Sequence, residues 1–177
     1  MTAVDKVRAL RAAARREAAA YRAGEDRPLG SYLATMGTYA ASVTALAGAG
    51  ALAGRRLPER ISPWDVTLLG VATHKLSRLV AKDTVTAPLR APFTEFAGPQ
   101  GQGELHEEVR GHGARHTIGE LLTCPFCLAQ WVATGFAAGL VFAPRATRLV
   151  ATTFTTVALS DALQNVYAIL QKKAEEQ

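Results

Sequence analysis

Charge is segregated along this chain of 177 residues, and that segregation limits what it can fold into more than any other feature. Pro28–Gly54 contains no Asp, Glu, Lys or Arg, and neither does Leu121–Pro144, a run of 24 residues. Leu149–Leu170 carries one charge, Asp161. A run of about 20 apolar residues crosses the roughly 30 Å of bilayer hydrocarbon as a helix. The mean hydropathy of +0.07 suits a soluble protein, but an average hides blocks of opposite character. These blocks predict an all-α integral membrane bundle. Four transmembrane helices are expected at about 31–53, 62–80, 121–143 and 149–170, with a polar loop over 81–120 and a basic leader over 1–27.

Local signals support each element. In the leader, Val7, Leu10, Ala14, Ala18 and Tyr21 recur at helical spacing beside Arg8, Arg11, Arg15 and Arg22, the pattern of a basic amphipathic helix at an anionic surface. The same pattern suits a solvated helix or tail. The first block is rich in Ala, Gly, Ser and Thr. Ala47-x-x-x-Ala51 and Gly50-x-x-x-Gly54 have the spacing of close helix packing. Ser62-Pro63 reads as an N-cap followed by proline at the first helical position. Behind it, Leu69, Ala72, Leu76, Leu79 and Val80 face away from His74, Lys75, Arg78 and Lys82. This helix either spans or lies flat in the interface. In the polar loop, Gly98–Gly103 reads as a flexible tip and Glu104–Arg110 as a short helix. Pro144–Arg148 reads as a tight turn.

The net charge is +5, yet no nucleic-acid motif accompanies it, and no nucleic-acid partner is expected. The basic residues flank the apolar blocks instead. With four spans, 15 of the 20 Lys and Arg lie on the side of the N-terminus. A flat second helix leaves 9 there and 11 opposite. The positive-inside rule therefore favours four spans, with both termini and the 81–120 loop in the cytoplasm of a bacterial cell. The expected partners are the lipid bilayer and a membrane protein, either a different one or a second copy of this chain.

Arg78-Leu79, Asp83, Pro88-Leu89-Arg90, Leu122-Thr123-Cys124-Pro125-Phe126-Cys127-Leu128 and Trp131-Val132 together resemble domain-of-unknown-function family 1360, over about residues 66–170. Those proteins are small bacterial membrane proteins. The resemblance implies a membrane location and supplies neither an activity nor catalytic residues. Relatives in spore-forming bacteria imply an envelope or developmental setting.

Two constellations carry candidate chemistry. Cys124 and Cys127, at a helix start, have the spacing for thiol redox work, because a helix N-terminus stabilises a thiolate. No second cysteine pair is present to relay electrons. With His112 and His116 the pair has the ligand types of a tetrahedral zinc site. The third reading is packing where Pro125 begins a helix, and it is preferred; no cofactor is expected, with zinc the metal these residues suit. Asp161 is costly at mid-helix depth and needs a partner, with Lys75, Arg78 or His74 in reach. Asn165 and Gln130 add intramembrane polarity. The expected function is a non-enzymatic envelope scaffold or assembly partner. The alternatives are a thiol-redox or zinc-binding membrane protein centred on Cys124 and Cys127, and a small oligomeric transporter or channel using Asp161.

Overall fold

The computed structural model describes residues 2–22 and 28–176. It is mostly helical: α1 Ala3–Arg22, α2 Leu29–Leu52, α3 Pro63–Lys82, a short α4 Ala87–Arg90, α5 Ala114–Thr123, α6 Pro125–Phe142 and α7 Pro144–Glu175. The last residues of the leader, 23–27, lie outside the described part. Two strands, β1 Thr94–Gly101 and β2 Glu104–Val109, form an antiparallel hairpin between α4 and α5.

The helix ends follow local chemistry. Ser62 caps α3, its side chain accepting from Asp65 N at 3.0 Å, and Pro63 occupies the first turn. α2 stops at a glycine. Gly54 takes φ +63, and Arg55 N reaches back to Gly50 O at 2.9 Å, the closing bond of a Schellman motif. Gly54 is therefore a helix terminator and not the second half of a packing motif. Of the two small-residue pairs noted in the sequence, Gly50 faces Phe142 of α6. Gly139 of α6 lies against α7 so closely that a methyl group on it would stand 2.5 Å from Thr147 Oγ1.

α3 is the central element, packing most extensively on α7 and α6. Leu68 and Ala72 of α3, Phe136 of α6 and Ala151 of α7 form the buried core, with Leu76, Val132 and Phe154 against it. α2 attaches more lightly, through α6 and α5. Large apolar side chains point outward along the helices, among them Met36, Phe126, Leu149 and Leu163.

Three expectations need correction. First, the fold is not all-α. Glu104–Val109 is a strand and not a helix, and the glycine-rich tip is the turn of the hairpin, with Gly103 at φ +78. Leu105, Glu107 and Val109 alternate inward while His106 and Glu108 face out. Because the central inward residue is a glutamate, the period-2 pattern carries no hydropathy signal. Second, the expected 121–143 helix is broken. Cys124 sits extended (φ −101, ψ 103), the conformation that a following proline favours. α5 and α6 meet there at an angle. Third, Pro144–Arg148 is not a turn but the first turn of α7, which runs 32 residues to Glu175. The expectation of spanning helices is met in part: among the described residues one helix, α6, is long and apolar enough by composition to cross a membrane. α2 has the length, but Gly, Ser, Thr and Tyr lower its hydropathy. α3 carries Asp65, Lys75, Arg78 and Lys82, and the later turns of α7 are polar.

Candidate functional site

The α3 sequence sets the first site. Lys75, Arg78 and Lys82 follow one another at helical spacing near its end, and Asp83 closes it as C-cap. α7 crosses this end and brings Asp161 opposite. The hairpin folds back beneath, bringing Glu104. Together they enclose a polar cleft of about 640 Å³ between α3, α7 and the hairpin tip.

Its charges are paired in a chain. Lys75 Nζ lies 2.9 Å from Asp161 Oδ2 and 3.9 Å from Asp83 Oδ2. Arg78, the other basic candidate for Asp161, turns to Glu104 instead, with Nε and Nη2 donating at 2.6 and 2.7 Å. This bidentate pair ties α3 to β2, and an isolated bridge joins Asp83 to Glu104. His74, Gln164 and Asn165 also line the cleft, and Gln164 donates to Ser160 at 3.3 Å. One lysine thus serves two aspartates. Burial, reinforced by the nearby carboxylates of Glu104 and Asp161, pushes the Asp83 carboxyl above the ordinary aspartate range, against the pull of Lys75 and Arg90.

Beneath the cleft sits the most buried charge. Arg90, at the end of α4, has no exposed surface. Its guanidinium donates to the Glu107 carboxylate, to Val80 O and Thr86 Oγ1 at 2.7 Å each, and to Asp83 O at 3.0 Å. It therefore satisfies the last carbonyls of α3 while anchoring β2. At the opposite end of α3, Asp65 accepts from Arg148 of α7 through both carboxylate oxygens, at 2.7 and 2.9 Å. Neither the burial of Arg90 nor the partner of Asp65 is among the expectations drawn from the sequence.

The second cleft, about 920 Å³, lies between α2 and the α5–α6 junction. Cys124 and Cys127 line it with Tyr32, Tyr39, Glu120 and Trp131. Cys124 Sγ accepts from Cys127 N at 3.2 Å, so this side chain caps α6. Tyr39 stands edge-on to Trp131, with ring centroids 5.2 Å apart. Its hydroxyl accepts from Gln130 Nε2 at 2.6 Å and pairs with Thr134 Oγ1 at 2.8 Å. Tyr32 donates to Glu120 at 2.7 Å. The polar stripe of α6 is thus turned to α2, and Gln130 belongs to this cleft and not to the cluster around Asp161. His116 lies 3.4 Å from Glu120. Among the described residues no three His, Cys, Asp or Glu side chains gather as a metal-holding group, so His112, His116 and the two cysteines are not brought together.

The chain is mostly helical, with one helix long and apolar enough to cross a membrane. Residues 68–167 match the family model described as Protein of unknown function (DUF1360), and the chain belongs to that family. The match covers most of α3, α4, the hairpin, α5, α6 and most of α7, and so the whole polar cleft. The chain is also 38% identical over 76 residues to the sporulation protein YjcA of Bacillus subtilis (strain 168), a stretch that makes up 41% of this chain. It spans 64% of the length of that relative. No solved structure matches the chain.

Proposed function

We propose that this chain is a multi-pass bacterial membrane protein that acts without catalysis, as a scaffold or assembly partner in the cell envelope. In this reading α2, α3, α6 and α7 cross the bilayer, and both termini and the hairpin are cytoplasmic. The observation that carries it is the inverted distribution of polarity. Several charges lie inside: the side chains of Arg90, Glu107, Asp65 and Lys75 are each 15% exposed or less, and each is paired with a side chain of another element. Apolar side chains lie outside, and of the apolar stretch of α6 only 17% is buried within the protein. In water such a surface drives aggregation; in lipid it is the solvated face. The lengths of α2, α3 and α7, 24, 20 and 32 residues, also suit a bilayer.

The non-enzymatic part rests on how the reactive groups are used. Lys75, Asp161, Arg78 and Glu104 neutralise one another across element boundaries, which fixes register between helices. Cys124 serves as a helix cap. Likeness to a protein named for sporulation supports an envelope setting. A thiol-dependent activity is the second reading, favoured by the position of both cysteines on the larger cleft.

Thiol chemistry separates the two. The scaffold reading predicts that Cys124 and Cys127 react slowly with iodoacetamide in the detergent-purified protein, with or without a chelator. It also predicts that Cys124→Ser, which installs a better cap, changes stability by no more than about 0.5 kcal/mol. Rapid alkylation of Cys124 well below pH 8.5, about where a free thiol titrates, points to the thiol reading instead. So does a mixed disulfide trapped on Cys124 in a Cys127→Ser chain.

A further inference from the structure

α1 lies outside residues 68–167, which the family model matches, and outside the packed body of the fold. Among the described residues no other element packs extensively on it, and from Ala3 to Tyr21 every residue but Ala18 is exposed. Its own sequence sets the helix. Asp5 N donates to Thr2 Oγ1 at 3.3 Å and Thr2 N to Asp5 Oδ2 at 3.0 Å, a reciprocal cap on the first turn. Eight of its 20 residues are alanine, the strongest helix former.

Exposure singles out no face of this helix, but residue type does. At about 100° per residue, Val7, Leu10, Ala14, Ala18 and Tyr21 fall within about 80° of arc, which no charged residue enters. Arg8, Arg11 and Arg15 occupy the adjoining arc of about 60°, and Lys6 and Glu17 border the other side. The helix carries six basic residues against two acidic ones, and of these Asp5 is held in the cap. Among the described residues no carboxylate pairs with Arg8, Arg11 or Arg15. Their spacing of three and four sets like charges one above another, which works against a helix standing alone in water. Val7, Leu10 and Tyr21 meanwhile leave 47%, 69% and 69% of their surface uncovered. A surface both anionic and apolar answers both features. A nucleic-acid backbone answers only the charge. Charged side chains in nearly every turn exclude a crossing of the bilayer, so the helix that meets such a surface lies in its plane.

We propose that α1 is a binding site for anionic phospholipid. It lies flat on the inner leaflet, with the apolar stripe among the upper acyl carbons and the Arg8–Arg11–Arg15 row on the headgroup phosphates. The inference rests on the membrane reading above, which places the start of α2 at the inner surface. From Arg22 to Leu29 the chain extends at most about 25 Å, so α1 cannot leave the neighbourhood of that surface. Such a tether raises the effective concentration of the helix at the lipid. The stripe is largely alanine, so its apolar contribution is small and the arginines decide occupancy. Binding therefore depends on anionic lipid and weakens with salt.

The test uses full-length chains carrying Cys124→Ala and Cys127→Ala and one new cysteine. Ala14→Cys places it on the stripe and Ala12→Cys on the opposite face. Each chain is labelled with a fluorophore and reconstituted into vesicles of phosphatidylcholine, alone or mixed with phosphatidylglycerol. Acrylamide, which is neutral, quenches from water, and lipids brominated just below the headgroup quench from the bilayer. In mixed vesicles the Ala14→Cys label is expected to be at least about threefold less open to acrylamide than the Ala12→Cys label, and to be quenched by the bromolipid. In phosphatidylcholine alone, or at high salt, that difference is expected to vanish. Arg8→Glu, Arg11→Glu and Arg15→Glu together are expected to abolish it, and the three corresponding changes to lysine to keep it. Equal access to both faces in mixed vesicles overturns the proposal, as does protection that persists without anionic lipid or with the three glutamates. Protection from acrylamide without bromolipid quenching also overturns it, since protein then covers the stripe. Flotation of the same vesicles keeps the readings apart. A chain that floats with both faces of α1 equally open defeats the lipid site alone, whereas a chain that does not float defeats the membrane reading on which the site depends.

Discussion

Replacing Arg90 by alanine is expected to cost about 3–5 kcal/mol and to release the hairpin from the helical body. The guanidinium is fully enclosed and donates to one carboxylate, two backbone carbonyls and one hydroxyl. Its removal leaves the Glu107 carboxylate, 6% exposed, without its counter-charge and takes a donor from Val80 O and Asp83 O at the end of α3. Lysine is not a substitute. A single ammonium cannot reach both sides of the planar fork, so Arg90→Lys should recover little of the loss. Pairing Arg90→Met with Glu107→Leu should recover much of it, because the cost of the single change lies in the stranded partner. Unfolding curves in detergent give the energies. Limited proteolysis near Gln102 reports the hairpin, which should be cut rapidly in Arg90→Ala and slowly in the parent. An Arg90→Ala chain within about 0.5 kcal/mol of the parent would contradict the anchoring role.

The second large effect is expected at Lys75. One ammonium, with 15% of its side chain exposed, separates Asp161 from Asp83. Lys75→Met removes both attractions and leaves two carboxylates facing one cleft, a loss of about 2 kcal/mol. Asp161→Asn should cost less, about 1 kcal/mol, since its side chain is 43% exposed and water screens the pair. The double variant should recover part of the sum, with a coupling energy of roughly 0.5–1.5 kcal/mol. The sign of the Asp83 shift adds a pH dependence. A carboxyl raised by burial contributes stability while protonated, and that contribution is lost as pH rises through its folded value. Without Lys75 the carboxylates have less to stabilise them, so the Lys75→Met loss should grow as pH rises above the usual carboxylate range. Additive single effects, unchanged by pH, would remove the charge chain from the account.

Both cases show what hydropathy reveals and what it hides. The long apolar blocks, the Ser62-Pro63 start of α3 and the need of Asp161 for a basic partner were legible, because each expresses itself in neighbouring residues. Depth counted along two helices sufficed to bring Lys75 near Asp161. The hairpin was not legible, since its inward side is built on Glu107 and its alternation is one of burial and not of apolarity. Nor was Arg90. A buried guanidinium is identified by the carbonyls and carboxylate that converge on it from α3, the Thr84–Thr86 turn and β2, and those meet only after folding. The break at Cys124 was within reach, because a residue before proline resists the helix. Continuous hydrophobicity across Leu121–Pro144 masked it. The capping role of Cys124 follows from that break.

The inside-out arrangement is the central claim, and side-specific labelling tests it most directly. In chains freed of Cys124 and Cys127, single cysteines replace Gln102 at the hairpin tip, Glu176 near the C-terminus, Leu57 between α2 and α3, and Arg145 at the start of α7. Intact cells then receive a membrane-impermeant maleimide. The account predicts labelling at Leu57 and Arg145 from outside, and at Gln102 and Glu176 only after the membrane is opened. Labelling of Gln102 from outside intact cells would contradict it.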